Sequence, residues 1–103
     1  MKLVLLSGAS EVGVYLVPDK VADNLEDYCS EFCCHWLQGS PNAAKYRVKM
    51  GNGIGFCYNE EDFIEYLNQY KFDEQSILVK RLIGVQVGDT VPEEYIGLPY
   101  FNF

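Results

Sequence analysis

Basic residues are scarce in this 103-residue chain. Eight Lys and Arg residues stand against fifteen Asp and Glu residues, which gives a formal net charge of −7. A protein that binds duplex nucleic acid needs a basic surface, and this overall field repels phosphate. The same field disfavours anionic membrane surfaces. We therefore expect no binding to nucleic acid and none to membranes.

Long apolar runs are also missing. The N-terminal run has four apolar residues, 3–6, whereas a secretory signal needs about 7–15. Three of the four cysteines, Cys29, Cys33 and Cys34, crowd into six residues, and adjacent cysteines rarely form a disulfide with each other. Reduced thiols fit this spacing better, so the sequence predicts a cytoplasmic protein.

The hydrophobic pattern predicts a single α+β domain over residues 1–103, with element order ββαββαα and an aromatic C-terminal extension. Apolar and β-branched runs on either side of a turn at 7–11 predict one hairpin. A second hairpin is predicted around the glycine-rich turn at 51–53, with Val48 and Met50 directed inward together with Tyr46. We expect both hairpins to form one antiparallel sheet of about four strands. The four strand-like runs are 2–6, 12–17, 45–50 and 54–58.

Two amphipathic stretches predict helices that cover one face of this sheet. The first spans 19–38, with Asp19 as its N-cap. The second spans 60–71, where Asn59 and Asp62 have the spacing of a capping box. Glycine at position 39 is expected to end the first helix.

Residues 74–83 are predicted as a third, short helix, and a strand at 77–79 is the alternative. The remaining C-terminal stretch is predicted to contain one helical turn after Pro92.

The C-terminal tail, 98–103, is unusually aromatic. Chain termini are ordinarily polar and frayed, so aromatic rings there must dock on their own domain or bury against another chain. Tyr100, Phe101 and Phe103 are therefore candidate partner-binding residues, and docking on their own domain is the simpler alternative.

One basic cluster stands out in the acidic chain. Lys45, Arg47 and Lys49 alternate with apolar residues and so share one face of a strand. They are candidate binding residues for an acidic partner or a phosphate strand. The alternatives are a solvated sheet face and an edge that lysine protects against strand addition. The acidic helix faces could likewise dock a basic partner, although solubility explains most of their carboxylates.

The cysteines raise the possibility of metal or thiol chemistry. A zinc site would require Cys29, Cys33 and Cys57 plus a fourth ligand, and the chain has one histidine. At ~100° per residue, Cys34 and His35 point away from the other thiols. Cys34 is expected to be exposed among carboxylates near a helix C-terminus, which opposes formation of a thiolate.

No catalytic residue and no cofactor can be assigned from these patterns. The G-x-G-x-G string at 51–55 lies between two strands, so it is interpreted as a turn rather than as a phosphate-binding loop. No carboxylate lies in an apolar run where burial would tune it for acid–base catalysis.

Several stretches carry a resemblance to known sequences. They are LVPDKVA at 16–22, YCSEFC at 28–33, CYNEEDFI at 57–64 and the ending PYFNF at 99–103. With these, the chain is similar to short hypothetical proteins of Gram-positive bacterial genomes, over about residues 15–70 and the tail. The resemblance implies a bacterial cytoplasmic setting and carries over no functional residue.

The sequence thus predicts a non-enzymatic protein-interaction or regulatory module that engages a protein partner or a second copy of itself. The alternative is a small cysteine-based metal-binding protein or thiol enzyme.

Overall fold

Strands from both ends of the chain build the central sheet. The computed structural model describes residues 1–8, 11–86 and 88–103. Within those residues the strands are β1 Lys2–Ser7, β2 Gly13–Val17, β3 Arg47–Met50, β4 Gly53–Phe56, β5 Ile77–Arg81 and β6 Tyr100–Asn102. Four of them form one sheet in the order β5-β2-β1-β6, while β3 and β4 form a separate two-stranded sheet.

The α+β fold class is confirmed, and the main sheet has the expected number of strands. Its composition differs from the prediction, because its outer strands are β5 and β6 rather than the second hairpin. The sheet is also mixed, since β6 runs parallel to β1 while β1–β2 and β2–β5 are antiparallel. The predicted turn at 7–11 includes Ala9 and Ser10, which lie outside the described residues.

The predicted helix over 19–38 is present but not continuous. It is divided into α1 Asp19–Asp23, α2 Leu25–Glu31 and α3 Leu37–Gly39. Asn24 interrupts it with φ −136° and ψ 40°, and a π-helical turn at Phe32–Trp36 joins α2 to α3. The N-cap position belongs to Pro18 rather than to Asp19. The Asp19 carboxylate instead binds the N-terminal ammonium at 2.8 Å, because a residue inside the first turn faces outward.

The second predicted helix has the expected start. Asn59 and Asp62 form a reciprocal capping box at the N-terminus of α4, Glu60–Tyr66. The helix then continues through a π-helical turn at Leu67–Lys71. Short 3₁₀ helices occur at Pro41–Tyr46 and Glu93–Tyr95, the latter at the predicted helical turn.

The helix predicted at 74–83 is wrong, and the strand alternative is correct. β5 pairs antiparallel with β2, with Ile77 opposite Leu16 and Lys80 opposite Val14. The run Ile77–Val79 is rich in β-branched residues and therefore favours a strand. Backbone pairing with the edge of β2 stabilises this strand, whereas a short isolated helix is only marginally stable.

Both faces of the β1–β2 hairpin are buried. Val4 and Leu6 face the helices, whereas Leu5 and Val14 belong to a second cluster that also contains Leu82, Val85, Val91, Tyr95 and Leu98. Full burial of one such side chain contributes about 1.5–3 kcal/mol. Only one covered face had been expected. The C-terminal stretch covers the other face of the hairpin and forms a second layer of the domain.

The aromatic tail belongs to this core architecture. The Leu5 amide donates to the Pro99 carbonyl at 2.8 Å, and the Phe103 amide donates to Ser7 at 2.8 Å. Phe101 and Phe103 pack against the helix-side core. Across residues 1–8, 11–86 and 88–103, no helix has the length and apolar character needed to span a membrane.

Candidate interaction surface

The β3–β4 hairpin places cationic and apolar side chains on one face. Its turn begins at Gly51, which has φ 57°, a left-handed conformation that glycine adopts easily. The register sets Arg47 opposite Phe56 and Lys49 opposite Ile54. Side chains of directly opposed residues project to the same side of an antiparallel pair. We call this side, made of Arg47, Lys49, Ile54 and Phe56, the cationic–apolar face.

The hairpin is exposed on both sides. The exposed fractions are 40% for Val48, 64% for Met50, 69% for Ile54 and 36% for Phe56. The prediction that Val48 and Met50 point inward is therefore wrong, although Tyr46 is buried. The reason is tertiary, because the helices cover β1–β2 and none of the core side chains comes from this hairpin.

The second side of the hairpin has few side chains of its own. Val48 is opposite Gly55 and Met50 is opposite Gly53, so the apolar side chains face glycines. A Cβ at Gly55 would collide with Met50 Sδ, which shows that the methionine lies across this glycine. Methionine in such a position is flexible and adapts to different partners.

Two of the three predicted basic residues are used to anchor the hairpin. The Arg47 guanidinium donates to the Leu37 carbonyl at 3.2 Å and to the Ser40 carbonyl at 2.7 Å. Leu37 is the first residue of the three-residue helix α3 and Ser40 is its C-cap, so both carbonyls belong to the last turn of the helical segment, where intrahelical donors run out. Lys45 pairs with Glu65 at 2.9 Å, and this hydrogen bond raises the pKa of Lys45.

Lys49 remains available for a partner. Among the described residues it has neither an ion pair nor a side-chain hydrogen bond, and it is exposed. A groove of about 620 Å³ is lined by Arg47, Lys49, Ile54 and turn residues 51–53. The groove therefore combines one free ammonium group with an exposed aliphatic side chain.

Comparison with known proteins gives no information on function, so the function has to be inferred from this geometry. No protein-family model matches the chain. Neither the curated proteins nor the solved structures include a match. The resemblance to short hypothetical proteins of Gram-positive bacteria therefore stays an expectation.

An aromatic cluster adjoins the base of the hairpin. The two π-helical turns lie side by side, with Trp36 and Tyr70 ring centroids 5.2 Å apart. Trp36 also contacts Tyr46 at 6.0 Å, immediately before β3. Tyr70 is substantially exposed, and π-helical turns are frequent at functional sites. The cluster extends the apolar surface of the hairpin onto the helical layer.

The tail residues contact their own domain. The Phe103 ring lies 5.3 Å from Phe63 and 4.8 Å from Phe101. The hydroxyls of Tyr100 and Ser7 are 2.9 Å apart. These contacts correspond to the simpler alternative for the aromatic tail, and a partner-binding role for the three residues stays a prediction.

The cysteines are separated by burial. Cys29 is buried, Cys33 is half-buried, and Cys34 and Cys57 are exposed. Burial raises the pKa of Cys29 and of Cys33, and it also raises the pKa of Tyr58, beside Cys33, to about 12. Among residues 1–8, 11–86 and 88–103, no three His, Cys, Asp or Glu side chains are placed to hold a metal ion. Cys29, Cys33 and Cys57 therefore do not form the metal site that their spacing allowed.

One buried carboxylate was missed by the sequence analysis. Glu60 is buried at the start of α4 and pairs with Arg81 at 3.3 Å. Arg81 also binds Glu61 at 2.9 Å and so ties β5 to this helix. The sequence pattern placed no carboxylate in an apolar run, and the neighbours that enclose Glu60 come from elsewhere in the chain, among them Gly8 and Arg81. The other carboxylate oxygen, Oε2, is buried and has no hydrogen-bond partner among the described residues.

Four residues of the candidate surface were not expected from the sequence pattern: Trp36, Ile54, Phe56 and Tyr70. For Ile54 and Phe56 a signal existed, because a two-residue turn at 51–52 fixes their pairing with Lys49 and Arg47. For Trp36 and Tyr70 there was none, since the π-helical turns that bring them together are not visible in a 3.6-residue periodicity.

Proposed function

We propose that this protein is a non-enzymatic protein-interaction module, and that its β3–β4 hairpin is the docking element. The observation that carries the proposal is the exposure of apolar side chains on both sides of the hairpin, Ile54 and Phe56 on one side and Val48 and Met50 on the other. Exposed apolar surface on a small domain is typical of protein interaction sites. The neighbouring aromatic rings supply the residue types that interfaces favour.

The charge of the hairpin defines the chemistry of the partner. Residues 45–58 include three basic and no acidic side chains, in a chain whose net charge is −7. Lys49 lies beside Ile54 in the groove. The matching partner surface offers carboxylates next to apolar side chains, because such a surface pairs the ammonium group and buries the isoleucine together.

Site-specific photo-crosslinking tests the proposal. A photoreactive amino acid at position 54 should give one discrete adduct in the native cells, and the same group at position 83 should not. Ile83 is a matched control, because it is 81% exposed but lies outside the hairpin. The crosslinked protein is then purified, and its dissociation constant is measured by titration.

The decisive comparison is between variants. Ile54→Ser and Lys49→Glu should each weaken binding of the purified partner by about tenfold or more, as expected for residues central to an interface. Ile83→Ser should leave the affinity unchanged. Equal affinities for all three variants, or a crosslinked surface rich in Lys and Arg, would refute the proposal.

A further inference from the structure

The hairpin has two edges at which backbone groups of the non-bonded pairs point outward. The Cys57 amide donates to the Tyr46 carbonyl at 2.8 Å, which starts the antiparallel ladder between β3 and β4. Residue pairs in such a ladder alternate between bonded and non-bonded positions. The bonded pairs are therefore 46/57, 48/55 and 50/53. The remaining pairs, 47/56 and 49/54, direct their N–H and C=O groups outward.

The two outward edges are not equivalent. On β3 the Arg47 amide already donates to the Ala44 carbonyl, and Arg47 and Lys49 place charges of the kind that discourage strand addition. On β4 the outward groups belong to Ile54 and Phe56. Within the described residues neither has a hydrogen-bond partner beyond the hairpin. β4 carries no charged side chain.

We propose that an extended segment of a protein partner, which carries a carboxylate and apolar side chains at every second position, adds to β4 as the third strand of this sheet. The inference rests on the proposed function and names its mode of recognition. Strand addition provides backbone hydrogen bonds that do not depend on sequence, and side-chain pockets then select the ligand. The N–H and C=O groups of Ile54 and Phe56 would be the pairing groups.

Charge complementarity specifies the pattern of the segment, because the residues at every second position of a strand share one face. The side chains of Ile54 and Phe56 lie next to the incoming strand on the cationic–apolar face. Lys49 is one strand farther away, ~4.8 Å in the hydrogen-bonding direction, so its long side chain reaches over Ile54. A carboxylate on this face of the segment meets Lys49, and the apolar side chains beside it cover Ile54 and Phe56.

Random peptides displayed on phage are the probe for this inference. The selection uses the full chain, and one enriched peptide is synthesised for measurement. We expect enriched sequences in which apolar residues lie two positions away from an acidic residue, because such residues share one face of a strand. Amide hydrogen exchange should then slow at Ile54 and Phe56 on peptide binding. The amides of Gly53 and Gly55, already inside the ladder, should change little.

A proline variant separates strand addition from side-chain contact. Ile54→Pro removes the outward N–H, whereas the control Ile54→Ala removes most of the side chain and keeps the N–H. The Ile54→Pro variant should bind the peptide about tenfold more weakly than Ile54→Ala, the expected size of one lost interfacial hydrogen bond with its disturbed neighbours. Hydrogen exchange of the free variants verifies that both remain folded.

The outcomes distinguish this inference from the function on which it rests. Equal affinity of Ile54→Pro and Ile54→Ala, or protection of β5 amides instead of Ile54 and Phe56, would overturn strand addition. If peptide binding still depended on Lys49 in that case, the docking role of the hairpin would stand. Failure to select any peptide that depends on the hairpin would count against both proposals.

Discussion

The two hairpins of this protein have similar local designs and opposite environments. In β1–β2, residues Val4 and Val14 on opposite faces are both fully buried. In β3–β4, residues Val48 and Ile54 on opposite faces are both exposed. Both are antiparallel pairs joined at a short connection. The difference lies in their neighbours rather than in their strands.

The neighbours of β1–β2 lie both at its edges and on its faces. Its edges pair with β5 and β6, and its faces are covered by the helices and by residues 82–98. Among the described residues, β3–β4 has no strand beside either edge. The covered hairpin therefore contributes most of the buried apolar surface of the two, and the second hairpin leaves its apolar side chains exposed.

The largest effect is expected from removing one of the neighbours. Deletion of residues 98–103 removes β6 from the edge of β1 and Phe103 from the aromatic core, so we expect loss of the cooperative unfolding transition. Circular dichroism during thermal unfolding measures this. Replacing residues 48–55 with a short glycine–serine turn is the control and should keep the transition. Reversal of these two results would show that stability resides in the projecting hairpin.

A pair of alanine substitutions compares the hairpins residue by residue. Leu6→Ala opens a cavity in a fully buried site and should lower the free energy of unfolding by about 3 kcal/mol. Ile54→Ala changes an exposed side chain and should alter it by less than about 0.5 kcal/mol. Urea denaturation gives both values. If Ile54→Ala lowered the free energy of unfolding as much as Leu6→Ala does, the hairpin would have to be covered in solution.

The rates at which a thiol reagent modifies the cysteines should show the same contrast. Cys57 lies at the end of the projecting hairpin and is exposed, whereas Cys29 is buried and its thiol has a raised pKa. A thiol reagent at neutral pH should therefore modify Cys57 and Cys34 quickly and Cys29 only after unfolding. Peptide mapping by mass spectrometry locates the modified residues. Rapid labelling of Cys29 in the native protein would contradict the packing described for α2.

The smallest effect concerns the ion pair at the base of the projecting hairpin. The hydrogen bond from Lys45 lowers the pKa of Glu65. A carboxyl group whose pKa is lower in the folded state stabilises the fold above its ordinary pKa, and this stabilisation is lost as pH falls through the folded value. Wild type should therefore lose slightly more stability than Glu65→Gln between about pH 5 and pH 3. Because the ion pair is exposed, the difference in stability is small. If stability changed with pH in the same way in both proteins, Glu65 would not contribute to the pH dependence.

Local signals in the sequence were reliable where one hydrogen bond or one dihedral angle decides the structure. Asn59 and Asp62 cap α4 through mutual hydrogen bonds, and Gly51 adopts its positive φ in the turn. Gly39 is the last residue of α3. These features depend on residues within three or four positions, so the sequence is sufficient to predict them.

Segments whose structure depends on distant partners were predicted less well. The run at 77–79 is compatible with a helix or a strand, and the free edge of β2 selects the strand. The aromatic tail had two possible destinations, and its parallel pairing with β1 places it on its own domain. Both choices require residues more than sixty positions away.

The candidate surface was predicted in part. Arg47 and Lys49 were selected from their alternation, and both line the groove. Their apolar neighbours Ile54 and Phe56 were within reach of the same reasoning, because the turn length fixes the register. Exposure of Val48 and Met50 was not, since alternation identifies two faces of a strand but not which face another layer covers.

By itself, the sequence determined the turn of the second hairpin, the capping box of α4, the acidic charge and the α+β class, because short-range hydrogen bonds and side-chain periodicity act within each segment. Only the tertiary structure decided which hairpin is enclosed and where the tail pairs. Burial is a property of the layers that surround a segment, and those layers come from parts of the chain far away in sequence.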